Sequence, residues 1–236
     1  MEGNLPKHIV IIPDGNRRWA RERGLKPWAG HREGAERSKE LVKEIINLNI
    51  PFFSFWGLSI DNIKNRPQRE IDFLFNLLNR YLKDIIKNKD IHKNQVRINI
   101  LGFWKKFFPK KTCELIEKAM QTTKNYNRFF FNLFLAYDGI SEMTETINQI
   151  KEKVIKNKNL KITSELIKEN LFTKDLPPVD YLIRTGGEPH LSAGFMMWDI
   201  ANAQFYFTNT YFPNFGKNEL RKAIQDYQKR ERRLGG

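Results

Sequence analysis

Short apolar runs alternate along the chain with longer stretches in which apolar residues recur every three or four positions. The short runs are bounded by polar residues, glycine or proline, which is typical of buried strands, and the longer stretches are typical of amphipathic helices. The predicted strands span residues 8–12, 52–58, 96–101, 129–136, 181–184 and 203–208. The predicted helices span residues 34–48, 70–88, 111–122, 142–157, 164–170 and 217–233.

This alternation predicts an α/β fold. Strands joined by helices pack through right-handed crossovers, so we expect a mostly parallel sheet surrounded by helices. The 236 residues show no repeat, low-complexity linker or sharp change in composition, and we therefore predict one domain over residues 1–236. Because ligands of such sheets bind beyond the carboxyl ends of the strands, the loops that follow the strands are where function is expected.

Polar loops follow four of the predicted strands. They contain Asp14-Gly15-Asn16-Arg17-Arg18-Trp19, Ser59-Ile60-Asp61-Asn62 with Asn65-Arg66-Pro67, Tyr137-Asp138-Gly139, and Arg184-Thr185-Gly186-Gly187-Glu188 with His190-Leu191-Ser192. Glycine lets backbone N–H groups approach an anion closely, and arginine binds phosphate oxygens bidentately. Any one of these loops is compatible with an ordinary turn, but their recurrence at one sheet edge predicts a polyanion site.

Asp14 needs a separate explanation, because a carboxylate beside arginines repels phosphate. Mg²⁺ prefers a carboxylate together with substrate phosphate oxygens and water. We therefore expect Asp14 to hold a Mg²⁺ ion that bridges to a diphosphate; the alternative is that Asp14 caps the following helix. The sequence has neither a GxxxxGK[ST] motif nor GxGxxG after the first strand, which excludes the familiar nucleotide-binding loops.

The charge balance adds a further constraint. Lysine and arginine number 41 against 27 aspartate and glutamate, and the net charge of +14 indicates nucleic acid, an acidic membrane surface or a phosphorylated substrate. The mean hydropathy is −0.58, and we expect neither a membrane-spanning segment nor a signal peptide. The one cysteine, Cys113, excludes an internal disulfide framework and a cysteine-based zinc site. We expect a cytoplasmic protein and leave a position at the membrane surface open.

Five blocks of the sequence match the pattern of a known family. They are HIVIIPDGNRRWA from His8, GHREGA from Gly30, SIDN with NRP from Ser59, IRTGGEPHLS from Ile183, and RERRLGG from Arg230. Together they resemble the cis-prenyltransferases, the undecaprenyl-diphosphate-synthase-like enzymes, from about His8 to the last residue. The resemblance implies a six-stranded parallel sheet ringed by helices, a homodimer, and an elongated hydrophobic tunnel for the growing chain.

The same resemblance implies an enzyme with two diphosphate substrates. It condenses isopentenyl diphosphate with an allylic diphosphate, farnesyl or geranylgeranyl, to form a cis-polyprenyl diphosphate that serves as a lipid carrier precursor. The allylic diphosphate is expected on Gly15, Asn16, Arg17, Arg18, Trp19 and His31. Isopentenyl diphosphate is expected on Arg184, His190 and Ser192. A C-terminal tail carrying Arg233 and Gly235 is expected to reach the diphosphate site of the partner subunit.

The implied chemistry is mainly electrostatic. Ionising a C–O bond to diphosphate develops charge on the leaving group, which arginines and Mg²⁺ stabilise. Asp14 is expected to hold the metal and assist departure of the diphosphate, while Ser59, Asn62 and Arg66 are expected near the reacting atoms. The base that removes one proton stays open among Asp14, a diphosphate oxygen, and a relay through Asn62 and Ser59.

Two of the departures from the family pattern concern predicted site residues. Gln204 stands where the family usually has a glutamate that serves as a second metal ligand or acts from the partner subunit. An amide oxygen can bind Mg²⁺ or its waters without charge, so we expect weaker metal affinity. His190 stands where an arginine is common, which makes the isopentenyl diphosphate site less regular.

The predicted helix over residues 70–88 is a candidate wall of the tunnel. Its apolar residues cover more than the usual stripe of about 100°. One side would then face the sheet and the other a lipid channel. The alternative is a helix buried between the core and a dimer partner.

Three other functions stay open at this point. A non-catalytic partner subunit would resemble the fold but lose the Asp-Gly-Asn turn, which this chain keeps. A variant prenyltransferase would make a short or unusual product because of Gln204 and His190. A nucleic-acid binder is suggested by charge alone, and we prefer diphosphates and an anionic membrane surface as the explanation of that charge.

Overall fold

The computed structural model describes residues 4–231 and is built on one six-stranded sheet. The strand order is β3-β4-β2-β1-β5-β6, and every neighbouring pair is parallel. The strands are β1 (His8–Ile12), β2 (Phe52–Leu58), β3 (Val96–Leu101), β4 (Phe129–Leu135), β5 (Tyr181–Arg184) and β6 (Gln204–Phe207). The α/β prediction, with all six strands, is therefore confirmed.

Helices cover both faces of this sheet. In chain order they are α1 (Asn16–Arg21), α2 (Pro27–Asn47), α3 (Ile60–Asn65), α4 (Gln68–Lys87), α5 (Lys89–Lys93), α6 (Trp104–Phe107), α7 (Lys110–Thr123), α8 (Gly139–Lys156), α9 (Ser164–Asn170) and α10 (Lys217–Lys229), with a 3₁₀ turn at Phe212–Asn214. Within residues 4–231, every helix is too short or too polar to cross a lipid bilayer.

The largest error of the sequence prediction concerns the start of α2. We expect this helix from residue 34, but it begins at Pro27, a residue that suits the first turn because its nitrogen carries no hydrogen to leave unpaired. The predicted start is too late because Gly30 and Gly34, a residue type that usually ends or weakens a helix, lie inside this one. A Cβ at Gly30 would lie 1.9 Å from the carbonyl oxygen of Asn16, so the glycine allows α1 to pack directly on α2.

One face of the sheet is closed by aromatic packing, and we call it the closed face. Val10 of β1, Trp56 of β2 and Phe134 of β4 point to this side, and Trp56 stacks on Phe195 at 4.7 Å between ring centroids. Phe134 and Phe195 are fully buried. The closed face therefore leaves little room for a ligand.

The opposite face of the sheet, which we call the cavity face, is covered in part by α2 and α10 and in part by α4 and α7. Between α2 and α4 lies a cavity of about 1250 Å³, whose floor includes Phe55, Gly57 and Leu133. It runs from the carboxyl edge of the sheet, where Asp14 lies, toward Ile98 of β3.

The helix predicted as a tunnel wall lines this cavity. Residues of α4 on the wall are Leu74, Phe75, Leu77, Leu78, Tyr81, Leu82 and Ile85. Part of the same helix packs with α7, in a cluster that includes Leu82 and Ile116. The apolar surface of α4 is wide because the helix contributes to the core and to the cavity at the same time. Use of the cavity as a lipid channel stays a prediction.

Candidate active site

The carboxyl edge of the sheet brings together nine of the residues singled out from the sequence. On the cavity wall at this edge lie Asp14, Asn16, His31, Ser59, Asn62, Arg66, Arg184, His190 and Ser192. They come from loops and helices that follow β1, β2 and β5, as the strand order requires. Their convergence is observed, and their individual roles stay predictions.

The turn after β1 is fixed by the conformation of Gly15 and by two hydrogen bonds to the side chain of Thr185. Gly15 has φ of +98°, and a Cβ there would lie 2.5 Å from Cδ1 of Tyr211, so any other residue would be strained and would clash. The backbone N–H of Asp14 donates to Oγ1 of Thr185 (2.9 Å), whose hydroxyl donates to the carbonyl oxygen of Asp14 (2.8 Å). Thr185 thereby couples the turn after β1 to the end of β5.

The Asp14 carboxylate lies between two arginines of different loops. Its Oδ1 is 3.1 Å from Nη2 of Arg18, and its Oδ2 is 3.0 Å from Nη2 of Arg184. Oδ1 also accepts the backbone N–H of Gly15 (2.6 Å). The helix-cap alternative is wrong, because the residue that caps α1 is Gly15 and no side chain bonds the first turn. Asp14 therefore contacts one arginine from each of the two predicted diphosphate sites.

Arg184 is buried at the end of β5 and organises the loop that follows. Its Nη1 donates to the carbonyl oxygen of His190 (2.5 Å) and to Oγ of Ser192 (2.8 Å). The His190 ring is exposed, with Nε2 at 3.3 Å from Oγ of Ser192. Nε of Arg184 is buried without a hydrogen-bond partner among the described residues, which leaves one donor unused at this site.

Arg66 is fixed by the short helix that follows β2. Oγ of Ser59 accepts the backbone N–H of Asn62 (3.0 Å) and so caps α3, and Nη2 of Arg66 donates to Oδ1 of Asn62 (2.7 Å). Burial lowers the pKa of Arg66 from its ordinary value. The link between Ser59 and Asn62 runs through a backbone amide, so a side-chain proton relay between them stays a prediction.

A carboxylate that the sequence reasoning missed, Glu70, lies beside this group. Its Oε1 is 2.9 Å from Nε2 of His31 and 3.5 Å from Nη1 of Arg66, and its Oε2 is 3.8 Å from Nε of Arg17. Burial, and then the charge of Arg66, lower the pKa of His31. The sequence contains a hint of this role, because Glu70 is a charged residue at the start of the helix face that continues with the inward-facing Leu74.

Some predicted binding residues lie off the cavity wall. Trp19 donates from Nε1 to Oδ1 of Asn214 (2.8 Å) and stacks with Arg23 at 4.4 Å, so its indole belongs to the outer surface. Arg18 lies over the ring of Tyr211 at 5.4 Å and reaches the site through Asp14. Substrate binding by Trp19 stays a prediction.

Gln204 does not meet Asp14 within one chain. It begins β6 and pairs in register with Tyr181, whereas Asp14 lies beyond the carboxyl end of β1. At about 3.3 Å per residue, at least about 10 Å separates the two along the strand direction. The prediction of a metal shared by Asp14 and Gln204 of the same chain is wrong, and only the version with a partner subunit stays a prediction.

The metal prediction can be tested against the donor set. Within residues 4–231, no three histidine, cysteine or acidic side chains lie close enough to hold an ion by themselves. Mg²⁺ commonly uses one or two carboxylates together with substrate phosphates and water. Asp14 fits a metal that arrives with a diphosphate rather than an all-protein metal site. Arg233 and Gly235 lie outside the described residues.

Comparison with known proteins adds the identity of the family. A family model described as putative undecaprenyl diphosphate synthase matches residues 12–235. The chain belongs to the undecaprenyl diphosphate synthase family. It is 37% identical over 236 residues to a tritrans,polycis-undecaprenyl-diphosphate synthase (geranylgeranyl-diphosphate specific) of Pyrococcus furiosus, covering 99% of this chain and 88% of the relative. It is 39% identical to an isoprenyl transferase of Clostridium tetani, covering 99% of this chain and 90% of the relative.

Solved structures of this family share the fold along the whole chain. A lavandulyl diphosphate synthase from Lavandula x intermedia, solved with dimethylallyl diphosphate, matches with a TM-score of 0.91 at 30% identity, over 98% of this chain and 99% of that one. A probable undecaprenyl diphosphate synthase from Campylobacter jejuni matches with a TM-score of 0.78 at 29% identity, over 99% and 100%. The predicted family and enzyme class, a cis-prenyltransferase, are thus confirmed.

Proposed function

We propose that this chain joins isopentenyl diphosphate to an allylic diphosphate at the carboxyl edge of the sheet, with the two diphosphates on either side of Asp14. The observation that carries the proposal is the contact of the Asp14 carboxylate with both Arg18 and Arg184. One arginine belongs to the turn expected to bind the allylic substrate and the other to the loop expected to bind isopentenyl diphosphate. Such an arrangement would bring two reactants together and supply the proximity that condensation needs.

The allylic side would stabilise the leaving group. Asn16, His31 and Arg66 line the cavity at this edge, and Arg17 and Arg18 lie just behind. Cationic groups held in fixed positions lower the free energy of a transition state in which negative charge develops on the departing diphosphate. Asn62 already holds Arg66, so its contribution includes keeping that guanidinium in place.

The isopentenyl side would use Arg184, Ser192 and the segment at His190. Arg184 is almost fully buried and tied by three contacts, so its guanidinium would be preorganised rather than ordered on binding. Its unused Nε donor supports a role in binding an anion at this position.

Mg²⁺ would be held by Asp14 together with substrate oxygens, and Gln204 of a second chain stays a proposed further ligand. When bound, the ion would add positive charge to the diphosphate oxygens. We expect Gln204→Glu to lower the Mg²⁺ concentration required for half-maximal turnover, because it restores a charged ligand. An unchanged Mg²⁺ requirement would remove Gln204 from the metal site.

The cavity would receive the growing hydrocarbon. Its volume of about 1250 Å³ exceeds the roughly 300–1,000 Å³ that encloses a drug-sized ligand. Its walls are mostly apolar side chains of α2, α4 and the sheet. Both observations favour a long polyprenyl product. A short product is the second candidate, because the chain also shares its fold at a TM-score of 0.91 with a lavandulyl diphosphate synthase.

A second copy of the chain is the proposed partner. Along α8, Ile140, Ile147 and Ile155 are exposed by 61%, 61% and 59%, and Met197 lies next to Ile140. The three isoleucines share one side of the helix with Thr144 and Lys151, and large exposed apolar side chains grouped on one face are typical of a protein contact. We expect a dimer by analytical ultracentrifugation. Monomers at micromolar concentration would contradict this part of the proposal.

The proposed contact with an anionic membrane surface rests on the turn between α1 and α2. Arg21, Arg23 and Lys26 are exposed there beside Leu25, which is 47% exposed. Basic residues around an exposed apolar side chain suit anionic lipid. Vesicles containing phosphatidylserine should therefore sediment more of the chain than neutral vesicles. Equal sedimentation would contradict this proposal.

Incorporation of labelled isopentenyl diphosphate tests the main proposal. We expect a butanol-extractable product that requires an allylic primer and Mg²⁺ and disappears with chelator. Farnesyl and geranylgeranyl diphosphate are compared as primers, and mass spectrometry gives the product length. No product from the chain alone, but product after a second prenyltransferase subunit is added, would favour the non-catalytic alternative.

A further inference from the structure

Glu70 is a buried carboxylate placed among cations at the head of α4. Its side chain is 4% exposed, and three cationic or ionisable groups surround it: His31, Arg66 and Arg17. His31 and Arg66 lie on the cavity wall, whereas Glu70 does not. The carboxylate therefore lies behind two of the groups that face the proposed allylic site.

Charge by itself does not explain a carboxylate at this position. Glu70 repels a diphosphate bound nearby and offsets part of the positive charge that would attract it. Arg17 is exposed and needs no buried counterion. The contacts of Glu70 with the two residues on the cavity wall supply a better reason.

Those contacts fix the chemical state and the direction of His31. Nε2 of His31 lies 2.9 Å from Oε1 of Glu70 and 3.4 Å from Nη1 of Arg66. Against an ionised Glu70 carboxylate, which only accepts, the shorter contact places the proton on Nε2. With Nε2 protonated in a neutral ring, Nδ1 becomes an acceptor. The ring is thereby held as one tautomer in one orientation.

The same oxygen also orients Arg66. Nη1 of Arg66 is 3.5 Å from Oε1 of Glu70, and Nη2 donates to Asn62 (2.7 Å). With both terminal nitrogens engaged, the plane of the guanidinium is defined before any substrate binds. Glu70 and Asn62 thus hold Arg66 from two directions.

We propose that Glu70 is a positioning residue for prenyl transfer: from behind the cavity wall it sets the tautomer and orientation of His31 and the orientation of Arg66, both of which face the allylic diphosphate. This inference rests on the proposed function. Loss of Glu70 should then lower turnover, although it removes a negative charge from an anion site. A carboxylate that merely balanced charge would have the opposite effect, since its loss would tighten diphosphate binding.

Glu70→Gln is compared with a matched control, Glu44→Gln. Glu44 is equally buried, with 5% side-chain exposure, and lies 2.6 Å from Nε of Arg221 on α10, off the cavity wall. Both substitutions should lower thermal stability to a similar extent, because each removes a buried charged hydrogen bond. Only Glu70→Gln should lower kcat, by about tenfold or more, with Glu44→Gln within about twofold of the unsubstituted chain.

Two outcomes of this comparison would overturn the positioning role. One is a Glu70→Gln enzyme with unchanged kcat and a lower KM for the allylic diphosphate, the result expected from charge balance. The other is an equal loss of kcat in both variants, the result expected from a general loss of structure.

The tautomer of His31 gives a readout that needs no turnover. In ¹⁵N-histidine-labelled protein, the His31 signal, assigned by its loss in His31→Gln, should show a proton on Nε2. In Glu70→Ala it should shift toward a mixture of tautomers. An unchanged His31 signal in Glu70→Ala overturns the positioning role, whereas absence of prenyl transfer by the unsubstituted chain overturns the proposed function.

Discussion

The two faces of the sheet are made by alternate residues of the same strands, yet they differ in how completely they are filled. On the closed face, Trp56 and Phe134 pack around Phe195 with ring centroids 4.7 and 5.0 Å apart. On the cavity face, Gly57 and Leu133 border a cavity of about 1250 Å³. A parallel sheet needs apolar residues on both faces. One face is therefore filled by core side chains alone, while the other contributes to the core and also keeps apolar surface free for a ligand.

Polar residues follow the same division. On the closed face, a buried seam crosses four strands: Nε2 of His8 bonds Oγ of Ser54, Asn132 donates to the same hydroxyl, and Asn99 donates to Asn132. The members of this seam satisfy one another. At the edge of the cavity, by contrast, Nε of Arg184 is buried without a partner within residues 4–231. An unused hydrogen-bond donor is therefore present where substrate is expected.

The largest effect should come from the closed face. Phe134→Ala removes a fully buried ring and should lower the free energy of unfolding by about 3–5 kcal/mol. Turnover per folded molecule and product length should stay close to those of the unsubstituted chain. Urea denaturation and product analysis measure the two quantities. A loss of less than about 1 kcal/mol would mean that the aromatic packing of this face contributes little to stability.

Asp14→Ala should lower turnover strongly and stability little, the reverse of Phe134→Ala. It should lower kcat by about 10²–10³-fold, because the site loses its proposed metal ligand and the link between two arginines. The free energy of unfolding should change by less than about 1 kcal/mol, because the side chain is 33% exposed and its ion pairs are partly solvated.

Asp138→Ala is the control for Asp14, since Asp138 lies at the same edge and caps α8 by accepting the N–H of Ser141 (2.6 Å). It should lower stability by about 1 kcal/mol and leave kcat intact. If Asp14→Ala behaved like this control, the proposed role of Asp14 would be lost.

Acid should weaken the closed face through His8. Burial lowers the pKa of His8 from 6.5 to about 4, with smaller effects of Asp180, which raises it, and Lys168, which lowers it. As the pH falls below 6.5, the unfolded chain takes up a proton that the folded chain resists until about pH 4. Stability present above pH 6.5 is therefore lost between pH 6.5 and 4, by an amount of about 3 kcal/mol.

In the variant His8→Gln the carboxylates still titrate but residue 8 does not. The comparison therefore isolates the contribution of His8 to the loss of stability in acid. Its urea midpoint should fall less between pH 7 and pH 4.5 than that of the unsubstituted chain. Identical slopes for the two proteins would show that His8 does not resist protonation.

The smallest change in stability should come from filling the cavity. Leu78→Phe enlarges a side chain on the cavity wall and should change the free energy of unfolding by less than about 1 kcal/mol, since it enters open space rather than a packed core. The distribution of product lengths should shift to shorter chains. Products of unchanged length would mean that hydrocarbon does not pass Leu78.

The sequence predicts the sheet well because strand signals are local. Apolar runs and the parallel crossover rule place the loops after β1, β2 and β5 at one edge, and the site residues follow from that. Gln204 shows the limit of matching to a family: the match alone suggests a metal shared with Asp14. The predicted strand over residues 203–208 puts Gln204 at its amino end, and the register of β6 on Tyr181 confirms that position.

The features that the sequence does not predict depend on contacts between segments that are far apart in the chain. Helix α1, with six residues, is too short to show a period, and its packing depends on Gly30 in another helix. The proposed role of Glu70 depends on its hydrogen bond with His31, 39 residues away, and that of Thr185 on its hydrogen bond with Asp14, 171 residues away. Such pairings are set by tertiary structure and leave only a weak trace in the sequence, such as a charge at the head of an apolar stripe.

A crystal structure with a non-cleavable geranylgeranyl thiodiphosphate and isopentenyl diphosphate would show directly where the two substrates bind. We predict the two diphosphates on either side of Asp14, the allylic one near Asn16 and the other on Arg184. The hydrocarbon should enter the cavity between α2 and α4 and pass Leu78. Hydrocarbon density outside this cavity, or both diphosphates on one side of Asp14, would contradict the proposed arrangement of the active site.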